Sequence, residues 1–246
     1  MTTGGRRRDA ADATAASELV RFDTSLLSDA LEIVGTPGAA VGLRALVERP
    51  RRIAGRAATV ELAPAGVAAP EVHLGCRAID VASPGEVIVV ANGGRLDAAA
   101  WGGLLSLAAS VRSVAGVVVD GVCRDAEEPW DLDLEVFARG VTPVTARRRV
   151  VERSFGEPVS VAGVTVRPGD WVIADATGVV FLPADRLAEL LPVARELARR
   201  EAAMRAALLA GEPASVVLDR GYEALFDDVR PATSSGDVAG KATPHG

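Results

Sequence analysis

The chain has 246 residues, 49% of them hydrophobic and 24% charged, with a formal net charge of −6. That is enough apolar material for one large domain with a real core, and the acidic balance argues against a dedicated nucleic-acid binder. Of the 27 basic residues only Lys241 is a lysine. Its place in the polar, Gly-rich C-terminal stretch removes Schiff-base aldolases, pyridoxal phosphate enzymes, Walker A nucleotidases and protein kinases from consideration.

In chain order, residues 1–20 are charged and Ala-rich and read as a disordered N-terminal arm. Arg6, Arg7 and Arg8 there suit a solvated end better than a nucleic-acid patch. No apolar h-region and no run of 18 apolar residues is present, so neither a signal peptide nor a membrane span is expected, and the cytoplasm is the expected location. Thr24 is placed to cap a helix carrying Leu26, Leu27, Ala30, Leu31 and Val34 on one face, ended by Gly35. Ala57–Leu62 reads as a strand, and Glu86–Ala91 as a buried strand after the Pro84-Gly85 turn. Asp97 is placed to cap a helix over the following Ala, Trp, Gly and Leu residues, which Gly116 ends. Val117–Asp120 and Phe137–Val144 read as further strands. Residues 159–183 pattern as a β-meander with turns at Ala162-Gly163 and Pro168-Gly169-Asp170. Asp185–Leu209 has the spacing of a long amphipathic helix. The short links predict one mixed α/β domain over residues 21–228, followed by a disordered tail at 229–246. Cys76 and Cys123 offer neither a disulfide framework nor metal-ligand spacing.

Residues 92–128, NGGRLDAAAWGGLLSLAASVRSVAGVVVDGVCRDAEE, carry the chemistry. Gly102-Gly103 sits in an Ala/Leu helical context, where each glycine costs roughly 1 kcal/mol relative to Ala. Two readings explain the pair. The amides of Gly102, Gly103, Leu104 and Leu105 can cradle a carboxylate or phosphate at a helix N-terminus, or the glycines allow tight packing against a neighbour. Arg124, Asp125 and Glu128 follow a short buried strand, at the strand end where α/β sheets tend to carry function. Arg124 offers a planar fork to a carboxylate or carbonyl. Asp125 and Glu128, three apart, suit Mg²⁺ or Mn²⁺ completed by water; a solvated Arg–Asp pair before an acidic helix start uses the same residues.

The pattern of Gly103, twenty residues, Arg124-Asp125, two residues and Glu128 resembles the family that contains the regulator of ribonuclease E activity A (RraA) and the 4-hydroxy-4-methyl-2-oxoglutarate/4-carboxy-4-hydroxy-2-oxoadipate aldolases. FDTSLLSDALEIVG, GRAATVEL, HLGCRAIDVASPGEVIVVANGG, VFARGVTP and VTVRPGDWVIADATGVVFLP extend the resemblance over roughly residues 22–226. It implies a layered αββα sandwich, with a central mixed β-structure flanked by helices. It implies that the backbone of Gly102, Gly103, Leu104 and Leu105 binds the carboxylate of a 2-oxo acid, that Arg124 contacts its C2 carbonyl oxygen, and that Asp125 ligates a divalent metal. It also implies a homotrimer, or a hexamer built from trimers, with a glutamate contributed across the subunit boundary: Glu201, or alternatively Glu196. The chain departs from the family twice. Aldolases of the family carry Asp where this chain has Gly103, so Glu128 takes over in the metal shell. Arg95 stands where Asp is common, and is read either as a contact to a second substrate carboxylate or as a surface residue.

With no amine available, an enolate must be stabilised by a metal and by Arg124. The expected function is therefore a metal-dependent carbon–carbon lyase on a 2-oxo acid, by retro-aldol cleavage or oxaloacetate decarboxylation. The alternatives are a non-catalytic, protein-binding regulator of ribonuclease activity and a family member recruited to a specialised biosynthetic pathway. No G-x-G-x-x-G loop supports a nucleotide-cofactor methyltransferase. His73 is a weak candidate near the site. Cys123, Trp101 and Trp171 read as packing residues, Trp130 as an entrance or a core cover, and Arg147, Arg148 and Arg149 as a solvated edge or interface.

Overall fold

The computed structural model describes residues 3–66 and 72–218. Two compact units divide between Ala198 and Arg199. The first holds α1 (Thr3–Leu19), α2 (Thr24–Ile33), β1 (Ala39–Ala40), β2 (Arg44–Ala45), β3 (Ile53–Pro64), α3 (Cys76–Val81), β4 (Val87–Trp101), α4 (Gly103–Val111), β5 (Gly116–Cys123), α5 (Glu128–Asp131), β6 (Glu135–Val141), β7 (Val150–Phe155), β8 (Val159–Val161), β9 (Val164–Val166), β10 (Trp171–Ala174), β11 (Val179–Leu182) and the first part of α6 (Leu187–Leu209). The second holds the rest of α6 and α7 (Ala214–Val217). The tail expected at 229–246 lies outside the described residues.

The sheet is mixed. Strands β3, β4, β5 and β6 run parallel, joined through α3, α4 and α5, while β10, β11 and β1 continue antiparallel from the other edge of β3. Alternation along the parallel strands builds two cores. Ile88, Val90, Val117, Val119 and Val136 face Ala78, Ile79, Leu105 and Ala109 of α3 and α4. Val87, Val89, Val118 and Phe137 face the β8–β9 hairpin and Val172, Ala174, Val179 and Phe181 of β10 and β11. The opposite faces of β10 and β11 bury Ile173 and Leu182, and α2 packs on β11. The result is helices, sheet, sheet, helix: a mixed sheet flanked by helices, as the resemblance implied. Among the described residues, no helix is long and apolar enough to cross a membrane.

Three expectations are corrected. The stretch read as a loose arm is helix α1 over Thr3–Leu19. Alanine-rich sequence favours helix, and its end is anchored by a fully buried Leu19, an Asp12–Arg56 ion pair at 2.7 Å and a Glu18–Arg195 pair at 2.7 Å. Helix α2 is capped by Asp23, whose carboxylate accepts from the Leu26 amide at 2.8 Å, not by Thr24. Thr24 instead turns inward, and its hydroxyl and amide donate to Asp175 at 2.7 and 2.9 Å. Asp97 caps no helix. Residues 97–101 continue β4, which pairs with β5 at Val122 and Cys123 across irregular register, and α4 starts only at Gly103. Burial of Ala98, Ala99, Ala100 and Trp101 in the sheet, each at most 2% exposed, outweighs their helix propensity.

Candidate active site

The parallel strands deliver two chain segments to one place. At the end of β4, Trp101 is locked by its indole N–H, which donates to the Ser106 hydroxyl at 2.9 Å. At the end of β5, the Arg124 amide donates to the Trp101 carbonyl at 3.0 Å. The loop that follows is thereby laid against the start of α4.

Asp125 closes the contact. It adopts φ +54, a left-handed conformation that Asp tolerates better than most residues. Its Oδ2 accepts from the Gly103 amide at 3.1 Å, and both its oxygens accept from Arg124 Nε at 3.1 and 3.2 Å. The two glycines make this approach possible. A Cβ on Gly102 would lie 3.0 Å from Arg124 Cγ and 3.2 Å from Asp125 Oδ2, and one on Gly103 would lie 3.2 Å from Glu128 Cγ. Of the two readings of the pair, close approach of the protein's own loop is what the structure displays. The amides of Leu104 and Leu105 remain, as first-turn groups, without an intrahelical acceptor.

Arg124 and Asp125 are both about two-fifths exposed, and Glu128 is exposed at the start of α5. The two Nη groups of Arg124 have no partner among the described residues. An accessible guanidinium edge, two carboxylates and two amides of a helix N-terminus therefore share one surface. Among the described residues, no three His, Cys, Asp or Glu side chains converge as a metal-binding group. The donor set of Asp125 and Glu128 fits a hard ion of the Mg²⁺ type, which uses one or two carboxylates and keeps water and substrate oxygens for its remaining positions.

The other candidates fall elsewhere. Arg95 is held by Asp97 in a two-bond pair, Nε to Oδ1 at 2.9 Å and Nη2 to Oδ2 at 2.8 Å. That hydrogen bonding raises the Arg95 pKa and lowers that of Asp97. Leu104 is 83% exposed, whereas Leu105 is buried. His73 is exposed, its carbonyl accepting from the Cys76 amide ahead of α3. Glu201 lies on α6 in the second unit and faces Arg205 at 3.5 Å, an i,i+4 pair; Glu196 lies on α6 in the first. Cys123 is 2% exposed, and burial pushes its thiol up to about 12, so it is no nucleophile despite its position beside Arg124. Trp101 and Trp171 are core residues, Trp171 lying beneath the Arg56 guanidinium at 4.1 Å, while Trp130 is half exposed on α5. Arg147, Arg148 and Arg149 occupy the link between β6 and β7. The buried carboxylates of Asp120 and Asp175 were not foreseen as organising groups; an Asp-Gly step ending an apolar strand was the available signal for the first.

Comparison with known proteins gives the lineage. The RraA-like family model, described as Aldolase/RraA, matches residues 24–181. Protein DlpA of Legionella pneumophila is 30% identical over 194 residues, 79% of this chain but 31% of that protein. A Halalkalibacterium halodurans protein named "Putative 4-hydroxy-4-methyl-2-oxoglutarate aldolase" is 34% identical over 49% of this chain and 57% of its own length. The chain thus spans less than two thirds of the length of these curated relatives. Among solved structures, a protein of Pseudomonas syringae pv. tomato str. DC3000 superposes with a TM-score of 0.75 at 29% identity, over 84% of this chain and 98% of that one. Streptomyces coelicolor RraAS2, described as an unusual member of the RNase ES inhibitor RraA protein family, superposes with a TM-score of 0.71 at 26% identity, over 79% and 96%. With its sheet order, its glycine-opened α4 and its Arg-Asp loop in place, this chain belongs to the RraA-like family.

Proposed function

We propose that this chain is a divalent-metal-dependent carbon–carbon lyase that acts on a 2-oxo acid through a pyruvate enolate. The observation that carries this reading is the convergence of the Gly103 amide, Asp125 and the open edge of Arg124. Asp125 and Glu128 would hold Mg²⁺ or Mn²⁺. A divalent ion bound there supplies Lewis-acid polarisation of the substrate carbonyl and carboxylate.

The protein's own groups do the rest. The amides of Leu104 and Leu105 hold the substrate carboxylate at the helix start. Arg124 places fixed positive charge where the C2 oxygen becomes negative, and Asp125 keeps that guanidinium oriented. In retro-aldol cleavage the 4-hydroxyl proton leaves to a base, the C3–C4 bond breaks, and its electron pair becomes the enolate, which is protonated at C3 to pyruvate. Glu128, or a glutamate from a neighbouring subunit such as Glu201, orients the water that takes the proton. Oxaloacetate decarboxylation breaks the same bond without that base, so it asks less of an acidic shell in which Gly103 replaces a carboxylate.

The names of the aldolase relatives support this reading. The apolar residues that α4 exposes at helical spacing, Leu104, Leu107 and Val111, support assembly into a homo-oligomer, trimer or hexamer. Two unpaired cysteines suit a reducing cytoplasm. The second reading, a regulator that binds a protein partner, draws on the likeness to RraAS2.

Turnover of oxaloacetate and of 4-hydroxy-4-methyl-2-oxoglutarate, measured with Mg²⁺ and after chelation, separates the two. Arg124→Ala is expected to lower kcat by at least about 100-fold with an unchanged circular dichroism spectrum. Near-wild-type turnover in that variant, or no turnover of either acid by the wild type, overturns the assignment.

A further inference from the structure

The parallel strands also end together on the other face of the sheet. Glu61, Ala91 and Asp120 are register partners across β3, β4 and β5, and Arg139 follows Ala138, the partner of Val119, on β6. Because Ala57, Val89, Val118 and Phe137 face the sheet–sheet core, alternation turns these four residues to that same side. The β8–β9 hairpin folds over them, turning at Ala162-Gly163 with φ +49 and +84. Between the strand ends and the hairpin tip lies a cavity of about 440 Å³, in the size range of small-molecule sites. Its lining includes none of Gly102, Gly103, Arg124, Asp125 or Glu128.

The cavity is built around one fixed guanidinium. Asp120, 4% exposed, spends both its oxygens: Oδ1 accepts from Arg139 Nε at 2.6 Å and Oδ2 from the Ala162 amide at 3.0 Å. Backbone confines the guanidinium on two further sides, since a Cβ on Gly42 would lie 3.0 Å from Nη1 and one on Gly94 would lie 3.3 Å from Nε. Both Nη groups are left without a partner among the described residues. Toward the other end, Glu61 has only 3.4 Å contacts to Arg153 Nη1 and the Ser154 hydroxyl. Ala91, between Glu61 and Asp120 in register, contributes only a methyl group to the floor.

The groups that line the cavity are two carboxylates and one guanidinium; the Arg153 guanidinium paired with Glu61 at 3.4 Å stands outside the lining and is 68% exposed, so water screens its hold on Glu61. A plain carboxylate on Arg139 meets Glu61 as a like charge, and a plain cation on Glu61 meets Arg139. A ligand with both charges satisfies each end. We propose that this cavity binds a small amino carboxylate, its carboxylate on the Nη edge of Arg139 and its ammonium group toward Glu61.

The test uses the intact chain and calorimetric titration with glycine, β-alanine and 4-aminobutyrate, each beside acetate, propionate or butyrate of matched length. At least one amino acid is expected to bind saturably and at least about tenfold more tightly than its matched acid. Glu61→Gln is expected to erase that preference. Ala91→Leu fills the floor while leaving the Arg139–Asp120–Ala162 chain in place, and is expected to abolish binding that Arg124→Ala retains. The proposal is overturned if no amino carboxylate binds, if the matched acid binds equally well, if the preference survives Glu61→Gln, or if binding is lost in Arg124→Ala and kept in Ala91→Leu.

Discussion

Asp125 Oδ2 accepts a hydrogen bond from the Gly103 amide at 3.1 Å, across 22 residues of sequence. This contact fastens the loop after β5 to the start of α4, and it gives one carboxylate a structural task, capping a helix, beside its proposed tasks of orienting Arg124 and holding the metal. The tasks separate by substitution. Asparagine tolerates the left-handed backbone that Asp125 adopts, so Asp125→Asn is expected to fold normally while turnover falls by more than about 100-fold. Asp125→Ala adds the cost of a non-Gly, non-Asn residue at positive φ and loses the cap, together about 1–2 kcal/mol. Paired thermal melts and oxaloacetate assays check this, and equal melting temperatures for the two variants would refute the capping role.

Gly103 abuts Glu128 and Asp125, but the atoms that crowd its missing Cβ are Glu128 Cγ at 3.2 Å and Asp125 Cβ at 3.3 Å. The first belongs to an exposed, flexible side chain that can move. Gly103→Asp is therefore expected to fold, helped by a negative charge at a helix N-terminus. By adding a third carboxylate it should tighten Mn²⁺ binding at least about tenfold, read by paramagnetic resonance. Unchanged Mn²⁺ affinity in a folded variant would remove Asp125 and Glu128 from the metal shell.

Burial pushes the Cys123 thiol from its ordinary value near 9.0 up to about 12. The folded state then holds its proton more tightly than the unfolded chain does. The associated stability is fully present below pH 9 and is lost progressively as pH rises toward 12, at about 1.4 kcal/mol per unit. Urea midpoints between pH 8 and 10.5 should fall more steeply for the wild type than for Cys123→Ala. The same thiol should stay unmodified by disulfide reagents at pH 8 until the protein unfolds.

Asp175 shows the opposite sign. Burial works to raise its pKa, but hydrogen bonds from the Thr24 hydroxyl and amide and the Thr177 amide, with Arg52 nearby, leave it below its ordinary value of 3.8. The stability it contributes is present above pH 3.8 and is lost as pH falls through the lower folded value. Asp175→Ala strands the Thr24 donors at the start of α2 and is expected to cost about 1–3 kcal/mol at pH 7. Chemical denaturation from pH 3 to 7 should show a flatter acid limb in the variant.

Much of the fold was legible because burial on both sheet faces leaves continuous apolar runs such as VIVV and VVV, and because turns such as Pro84-Gly85 punctuate them. The Arg124, Asp125 and Glu128 cluster was legible from its place at the carboxyl end of a short buried strand, where α/β sheets tend to carry function, and from its resemblance to the RraA-like pattern. For the arm at 3–19 and the stretch at 97–101 the outcome rests on distant partners that local propensity does not register, Arg56 and Arg195 for α1 and the edge of β5 for residues 97–101.

By itself the sequence determined the chemical inventory. A body without lysine offers no side-chain amine to form an imine, so the enolate of the proposed reaction would rest on positive charge held in place. It also determined which strands are buried and in what order they come. Only the tertiary structure decided which charges meet. Strand register set Arg124 and Asp125 against Gly102 and Gly103, and brought Glu61, Ala91, Asp120 and Arg139 into one row. It also gave Arg95 to Asp97. The physical reason is range: propensity and periodicity act over a few residues, whereas a hydrogen bond of 3 Å between residues far apart in sequence exists only once the strands that carry them have paired.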